Sequence, residues 1–576
     1  MTVGETPKQA DLWRSSASVI GDRVASDSIW GLLHREGHRI FPDELFADLY
    51  STRGRRSVPP QVVATVMVLQ RLHGLSDRDA VEAFEFDVRW KYAAGGLNVD
   101  FPGFSHMVLV DMRARLARSE APRRIFDAVL DTARAAGLVG RRRVLDSTPL
   151  YDSVATMDTV TLVRSAIRGV LKAADVDLEV ELRAVIDSGD RYDSNAKPQI
   201  DWDDQAARDD LIDQSARDGY ACLGVLADRD LDPGVADAAK LLATVLGQDL
   251  EIDENGRFKI VWGVARDRVI STVDPDTRHG HKTSARGFDG YKGHIAVDPD
   301  SEIITNTVVT PGNAGDASVA QDLISDLTNT PDHGDHDGDH DGDHDGGGVP
   351  DGGEPSGGKP AGGVAYRDVE ADGSDGDGGG DGGGDGGGSK VYGDSAYGTG
   401  DFQQHLNDND IESGCRTQRP APRPGALFGK DDFTINLDND TVTCPAGDTV
   451  DIERDRHDDG VARFGDACAA CPMREHCTTS TNGRTIRVGR HEAALAEARE
   501  QQANPDWRDD YRAVRPKVER KIGHLMRHRH GGRRARVRSR TKVDADFSLL
   551  AAARNLHRAA TLNLRYEPTI GWATSP

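Results

Sequence analysis

Apolar residues recur at helical spacing through the first quarter of the chain and alternate with polar ones further on. Residues 1–135 read as mainly helical, with a continuous apolar-rich helix from Gln61 to Leu72. His73-Gly74-Leu75 breaks that pattern, and Ser76 can cap a second helix from Asp77 to Phe86. The pair has a helix–turn–helix outline that could lay a helix in a DNA groove, but its favoured reading is an ordinary αα-hairpin packing on its neighbour. Arg53, Arg55 and Arg56 beside it favour phosphate contact without reading sequence.

Arg141 to Asp146 then predicts a strand entering a core. Val160, Leu162, Val163, Ile167, Val170 and Leu171 mark a helix from Asp158 to about Ala174. Residues 175–255 are acidic and lean helical, as an insertion between strands would. Strand signals return at Lys259 to Val264 and continue from Gly290 to Asp298. Glu302 to Thr310 alternates and is β-branched, so it pairs with the preceding run as a hairpin across Pro299-Asp300-Ser301. One short helix is expected from Asp316 to Leu327, a strand from Lys390 to Gly393, and helices from Gly400 to Asn407 and from His491 to Gln502.

Composition changes this picture in two places. The net charge of −25 argues against a nucleic-acid partner until its distribution is read. Residues 331–389, an Asp/Gly/His-rich run, hold 16 acids against 2 bases. Residues 511–543 hold 13 Lys or Arg against Glu519 alone. Exposed charge acts over only about 8 Å at physiological salt, so a local basic face outweighs the total. The 331–389 run cannot bury enough apolar surface to order itself and reads as a disordered spacer. Its His333, His336, His340 and His344 could chelate metal only weakly. No stretch approaches the ~18 apolar residues of a membrane helix, and Met1 to Asp22 has no signal-type run. The expectation is a cytoplasmic protein with no membrane contact.

Three carboxylates carry candidate chemistry. Asp146 and Asp394 each close a short apolar strand, in Val144-Leu145-Asp146-Ser147-Thr148-Pro149 and Val391-Tyr392-Gly393-Asp394-Ser395-Ala396-Tyr397. Either alone could be a turn or cap residue. Glu519 lies on a helix expected to begin at Pro516, at the edge of a stripe formed by Val518, Ile522, Leu525 and Met526. Oxygen ligands from different elements suit Mg²⁺, and two such ions about 3.5–4 Å apart serve phosphodiester chemistry. The alternative for Glu519 is an i,i+4 ion pair with Arg515.

Six cysteines without a secretion signal are expected to be reduced. Cys444, Cys468, Cys471 and Cys477 supply four thiolates around a Cys-x2-Cys knuckle, which suits structural zinc; unligated thiols are the alternative. Cys222 and Cys415 read as isolated buried thiols.

These stretches resemble the DDE transposases of bacterial insertion sequences. The likeness runs over most of residues 25–565 outside the spacer. It rests on Leu145-Asp146-Ser147-Thr148, Tyr392-Gly393-Asp394-Ser395-Ala396-Tyr397, Gly290-Tyr291-Lys292 and the Arg515–Glu519 spacing. Two positions depart from the family pattern. Tyr511 stands one residue further from Arg515, and Met526 occupies the later lysine position with Arg527 beside it.

The resemblance implies an α/β fold: an RNase H-like mixed sheet with flanking helices, behind an all-helical amino-terminal domain and carrying a small cysteine-rich insertion. The implied division is a helical, DNA-binding domain over 1–135 and the first part of the catalytic core over 136–330, with a helical insertion at about 151–255. The 331–389 spacer, the second core part over 390–440, a cysteine-rich zinc insertion over 441–480 and a helical, basic end over 481–576 follow. Asp146, Asp394 and Glu519 would bind two Mg²⁺ (or Mn²⁺) ions. DNA would be cut at the element's terminal inverted repeats, and the freed 3′-OH joined to target DNA by a homodimer or higher oligomer. Arg515, Arg520, Lys521, Arg527, Arg533, Arg534 and Arg536 would contact DNA, with Arg527 to Lys542 as a flexible basic arm. A catalytically inactive DNA-binding descendant and an RNase H-like nuclease without strand transfer are the alternatives.

Overall fold

The computed structural model describes residues 1–4, 13–263, 265–283, 286–328, 388–418 and 427–574. The expected spacer, with its four histidines, lies outside them except for Gly388 and Ser389.

A mixed sheet organises the centre. Its strands are β1 (Arg142–Tyr151), β2 (Arg278–Thr283), β3 (Arg286–Val297), β4 (Ile304–Pro311), β5 (Lys390–Gly398) and β6 (Glu412–Thr417). β3 pairs antiparallel with β1 on one side; on its other edge β2 and β4 share it in succession. β5 joins β1 in parallel and β6 joins β5 in parallel, which gives the RNase H-like arrangement expected. The β1–β3 ladder runs without a break from Val144–Val297 to Tyr151–Gly290. The β1–β5 ladder ends at Val144–Tyr392, and beyond it the two strands splay.

Helices cover both faces. One face, with Val144, Leu150, Ile295 and Tyr392, packs on helices from the amino-terminal region and on α3 (Pro505–Leu525) and α4 (Arg540–Thr561). The other face, with Leu145, Ala296 and Val391, packs on residues 319–327 and on the helix Gly400–Asp408.

The amino-terminal region is helical as read. α1 (Pro60–His73) is buried from Pro60 to Leu72. Ser76 caps α2 (Asp77–Phe86) in a reciprocal box with Asp79. The exposed side of α2 carries Asp79, Glu82 and Glu85 against Arg78. An acidic helix repels phosphate, so the αα-hairpin describes this pair better than a groove-reading motif.

The insertion after β1 is a helical unit. Thr159–Ala173, Val176–Ala184, Gln205–Leu226 and Pro233–Asp249 enclose a separate core that holds Cys222, as an isolated buried thiol should be. Its only strands among the described residues are the short hairpin Leu250–Ile252 and Phe258–Ile260. Of the strand predicted from Lys259, only Lys259 and Ile260 are in one, and its predicted end at Val264 lies outside the described residues. The expected helix at 316–327 is three short turns. The cysteine-rich insertion is larger than its cysteines suggested: a five-stranded antiparallel sheet spans Thr434–Asn436 to Thr485–Val488. Among the described residues, no helix is long and apolar enough to cross a membrane.

Candidate active site

Neither aspartate ends its strand. β1 continues five residues past Asp146, and β5 continues past Asp394 through a bulge to Gly398. Each sits where the β1–β5 ladder stops, so the apolar run ending in Asp marks the splay rather than a strand end. Gly393 allows the bulge to close, because a Cβ there would lie 2.9 Å from the Tyr397 Cβ. Asp394 Oδ1 accepts the Ala396 N–H at 2.9 Å, and Asp146 Oδ1 accepts the Ser147 N–H at 2.8 Å. These bonds orient both carboxylates locally.

The third carboxylate arrives on α3, which begins eleven residues earlier than expected. Asn504 caps it, with its side chain accepting the Asp506 N–H, and Pro505 opens it. Pro516 lies inside the helix, on its exposed side. An interior proline costs about 3 kcal/mol, which burial of Val514, Val518 and Leu525 against the sheet offsets. The acidic start of α3, Asp506 to Asp510, has no apolar stripe, so periodicity gave no sign of it.

Arg515 is buried in the splay. Its Nη1 donates to the Leu145 carbonyl at 3.2 Å, near the end of the parallel ladder. Its Nη2 lies 3.0 Å from Asp146 and 3.8 Å from Asp394, and its Nε lies 3.9 Å from Glu519. One guanidinium therefore faces all three predicted carboxylates. Burial pushes the Asp146 carboxyl up, against the pull of Arg515. Burial opposes the charge on Arg515 itself, but the surrounding carboxylates hold its pKa above the ordinary value. Tyr511 stands one turn before Arg515 and also faces it, and burial raises its hydroxyl. Tyr511, Arg515 and Glu519 follow at i, i+4 and i+8 and share one side of the helix, so the extra residue before Arg515 leaves Tyr511 at the site. Glu519 is 61% exposed, turned toward Arg515 rather than into the stripe.

The basic residues divide. Lys521 is 2% exposed and pairs with Glu302 at 3.6 Å, so it cannot meet DNA; composition showed its charge but not that it lies on the packed side of α3. Burial lowers its pKa to about 7. Arg520 pairs with the other Glu302 oxygen. Arg527 is half-buried, while Arg533, Arg534 and Arg536 are exposed. The segment that carries them is no loose arm. Tyr151 N–H donates to the Arg533 carbonyl at 2.9 Å, Arg536 donates to the Leu75 carbonyl, and His530 Nδ1 contacts the Leu72 carbonyl. The glycine pair does not free it either, because a Cβ on Gly532 would strike the Leu525 carbonyl.

Other residues gave no motif signal. Glu302, at a turn with φ +60°, anchors α3 to the β3–β4 hairpin through Arg520 and Lys521. On the opposite face of the sheet, Asp316 accepts from Ser147 Oγ at 2.6 Å and Lys292 Nζ at 2.8 Å. His294 bridges Tyr397 and Thr310 there, and burial lowers it to about 4.

Cys444, Cys468, Cys471 and Cys477 line one small cavity with Phe428, Phe433 and Phe464. The Arg484 N–H donates to the Cys468 sulfur at 3.3 Å, and burial raises the Cys477 thiol. Cys415 is buried in the sheet, and burial raises its thiol as well. Among the described residues, no three His, Cys, Asp or Glu side chains converge closely enough to share one ion. In the carboxylate centre the Arg515 guanidinium stands between them. The thiols share a wall without meeting.

The RNase H-like sheet thus presents three carboxylates around a splay, oxygen donors of the kind that divalent metals take. Three stretches match family models: residues 31–115 match a Transposase domain (DUF772), residues 249–338 a Transposase DDE domain, and residues 443–560 a second Transposase DDE domain. The chain belongs to the DDE transposases. Arg515 and Glu519 fall inside the last match, whereas Asp146 and Asp394 lie outside all three and rest on geometry. No curated protein and no solved structure matches.

Proposed function

We propose that this chain cuts DNA at the ends of an insertion sequence and joins the freed 3′-OH to target DNA. The observation that carries this reading is the Arg515 guanidinium facing Asp146, Asp394 and Glu519 together. Three segments far apart in the chain bring their carboxylates around one guanidinium, so a cation already sits among them. That donor set fits Mg²⁺ or Mn²⁺, and room for two ions requires Arg515 to withdraw partly. Bound there, such ions would lower the pKa of water and stabilise the leaving oxygen.

The chain's own groups do the rest. The Ser147 and Ala396 amides hold two carboxylates in orientation, and Glu302 holds the helix that supplies the third. Arg515, displaced toward solvent, would pair with a phosphate, and Tyr511 supports it. Arg533, Arg534 and Arg536 would take up the DNA backbone, with a dimer or larger assembly pairing the two ends. The four cysteines would hold a structural Zn²⁺ that draws their shared wall together.

Product analysis with labelled DNA ends tests this reading. Joined products carrying the 3′ end in a second DNA support it. Nicked DNA without joined product would reduce it to hydrolysis alone, and neither product would remove it.

A further inference from the structure

β1 ends at Tyr151, five residues and roughly 17 Å beyond Asp146 by strand rise. The Tyr151 side chain is 46% exposed. An exposed tyrosine is ordinary by itself; its setting is what singles this one out. Arg534 lies in register beside it as a parallel bridge. The Tyr151 N–H donates to the Arg533 carbonyl at 2.9 Å, and the Ala535 N–H donates to the Tyr151 carbonyl at 2.7 Å. Ser153 Oγ adds a bond to the Ala535 carbonyl at 2.7 Å. On its other side Tyr151 pairs with Gly290, which has φ +143° and no room for a Cβ, since one would lie 2.2 Å from the Leu150 carbonyl. No side chain from that position can cover the ring. Buried Phe288 braces it edge-on, with centroids 6.0 Å apart.

The neighbouring cations are unspent. Arg533, Arg534 and Arg538 are exposed, and among the described residues none has a carboxylate within ion-pair distance. Arginines elsewhere are widely paired, as Arg124 is with Asp48 and Arg142 with Asp300. The run is also fixed at its far end, where the Ser539 N–H donates to Asp274 at 3.1 Å and the Arg540 N–H to Asp276 at 2.9 Å.

We propose that Tyr151 is a stacking platform for an unpaired DNA base, with Arg533, Arg534 and Arg538 taking the adjoining phosphates. This rests on the reading of the chain as a DNA-processing enzyme. A braced ring with an open face offers stacking to any base, and cations beside it suit a single strand. Side chains alternate along a strand, so Tyr151 leaves β1 on the face opposite Asp146. The platform therefore lies around the sheet's end from the carboxylates. It fits a strand displaced from the duplex rather than the strand being cut.

The test is binding by the full chain without divalent metal. One DNA is blunt, and the other carries an unpaired tail containing 2-aminopurine. The wild type should bind the tailed DNA more tightly and quench its fluorescence. Tyr151→Leu, which keeps apolar contact with Phe288, should lose roughly tenfold on tailed DNA and little on blunt DNA, while Tyr151→Phe matches the wild type. Arg533→Ala/Arg534→Ala should lower the salt slope on the tail by about 1.4, at roughly 0.7 per phosphate on a single strand. Equal losses on both DNAs, or none, would overturn the platform. So would a Tyr151→Phe protein as weak as Tyr151→Leu. Wild-type binding to tailed and blunt DNA alike overturns the platform alone; binding to neither would remove the DNA reading beneath it.

Discussion

The carboxylate centre and the thiol cavity are two candidate metal sites built in opposite ways. The four cysteines lie within 34 residues of sequence, inside one small sheet whose core they share. Asp146, Asp394 and Glu519 come from three distant segments and face one guanidinium only because β1 and β5 splay and α3 crosses the gap. The carboxylates surround a cation, Arg515, whereas the thiols line a cavity wall that they share with Arg474 and Arg484. A local site can be organised by its ion. An assembled site needs joints elsewhere in the molecule, and here two are visible: Glu302 under α3, and the contact of His530 with Leu72.

The contrast is broken most directly through the thiols. Cys468→Ser/Cys471→Ser should abolish zinc binding, because structural zinc in small domains contributes about 10 kcal/mol or more to folding. Metal analysis should fall from one zinc per chain to none, with protease sensitivity rising within residues 434–488. Unchanged metal content would sink the zinc reading.

The joints should act on the carboxylate centre alone. Glu302→Gln leaves Lys521 buried without its anion, which costs about 3–5 kcal/mol where a buried pair is broken. Thermal unfolding should show that loss, and DNA joining should weaken while zinc content holds. A variant with full joining activity would mean that α3 needs no anchor there.

The smallest effect concerns pH. Burial, with Arg529, Arg554 and Arg71 nearby, lowers His530 to about 3. The unfolded chain then binds the proton that the folded chain refuses, so stability is lost as pH falls below about 6.5. The loss should reach about 2 kcal/mol by pH 5. His530→Asn should flatten that dependence in melting curves taken from pH 7 to 5. An equally steep curve for the variant would place the acid sensitivity elsewhere.

The same division decided what could be read from sequence. Local signals carried through: the Ser76 cap, the Thr159–Ala173 helix, the β3–β4 hairpin and the two strand-borne aspartates. Glu519 stands out in sequence by its basic setting, but the first eleven residues of α3 do not, because its acidic first turns have no stripe. Lys521 reads as a DNA contact because its charge is legible in sequence and its burial is not. Glu302 was invisible for the same reason, since its partners lie more than 200 residues away. Long-range pairing leaves no mark in a local pattern.

The central claim is that three separate strands and helices form one metal-dependent joining site. The direct measurement is strand transfer with Mg²⁺ on DNA carrying the element's ends, comparing wild type with Asp394→Ala and Glu519→Ala proteins of equal fold. The account predicts joined product from wild type and a loss of roughly 10³-fold or more in each variant, as removal of several kcal/mol of metal-borne stabilisation requires. Joining by either variant at the wild-type rate would contradict it.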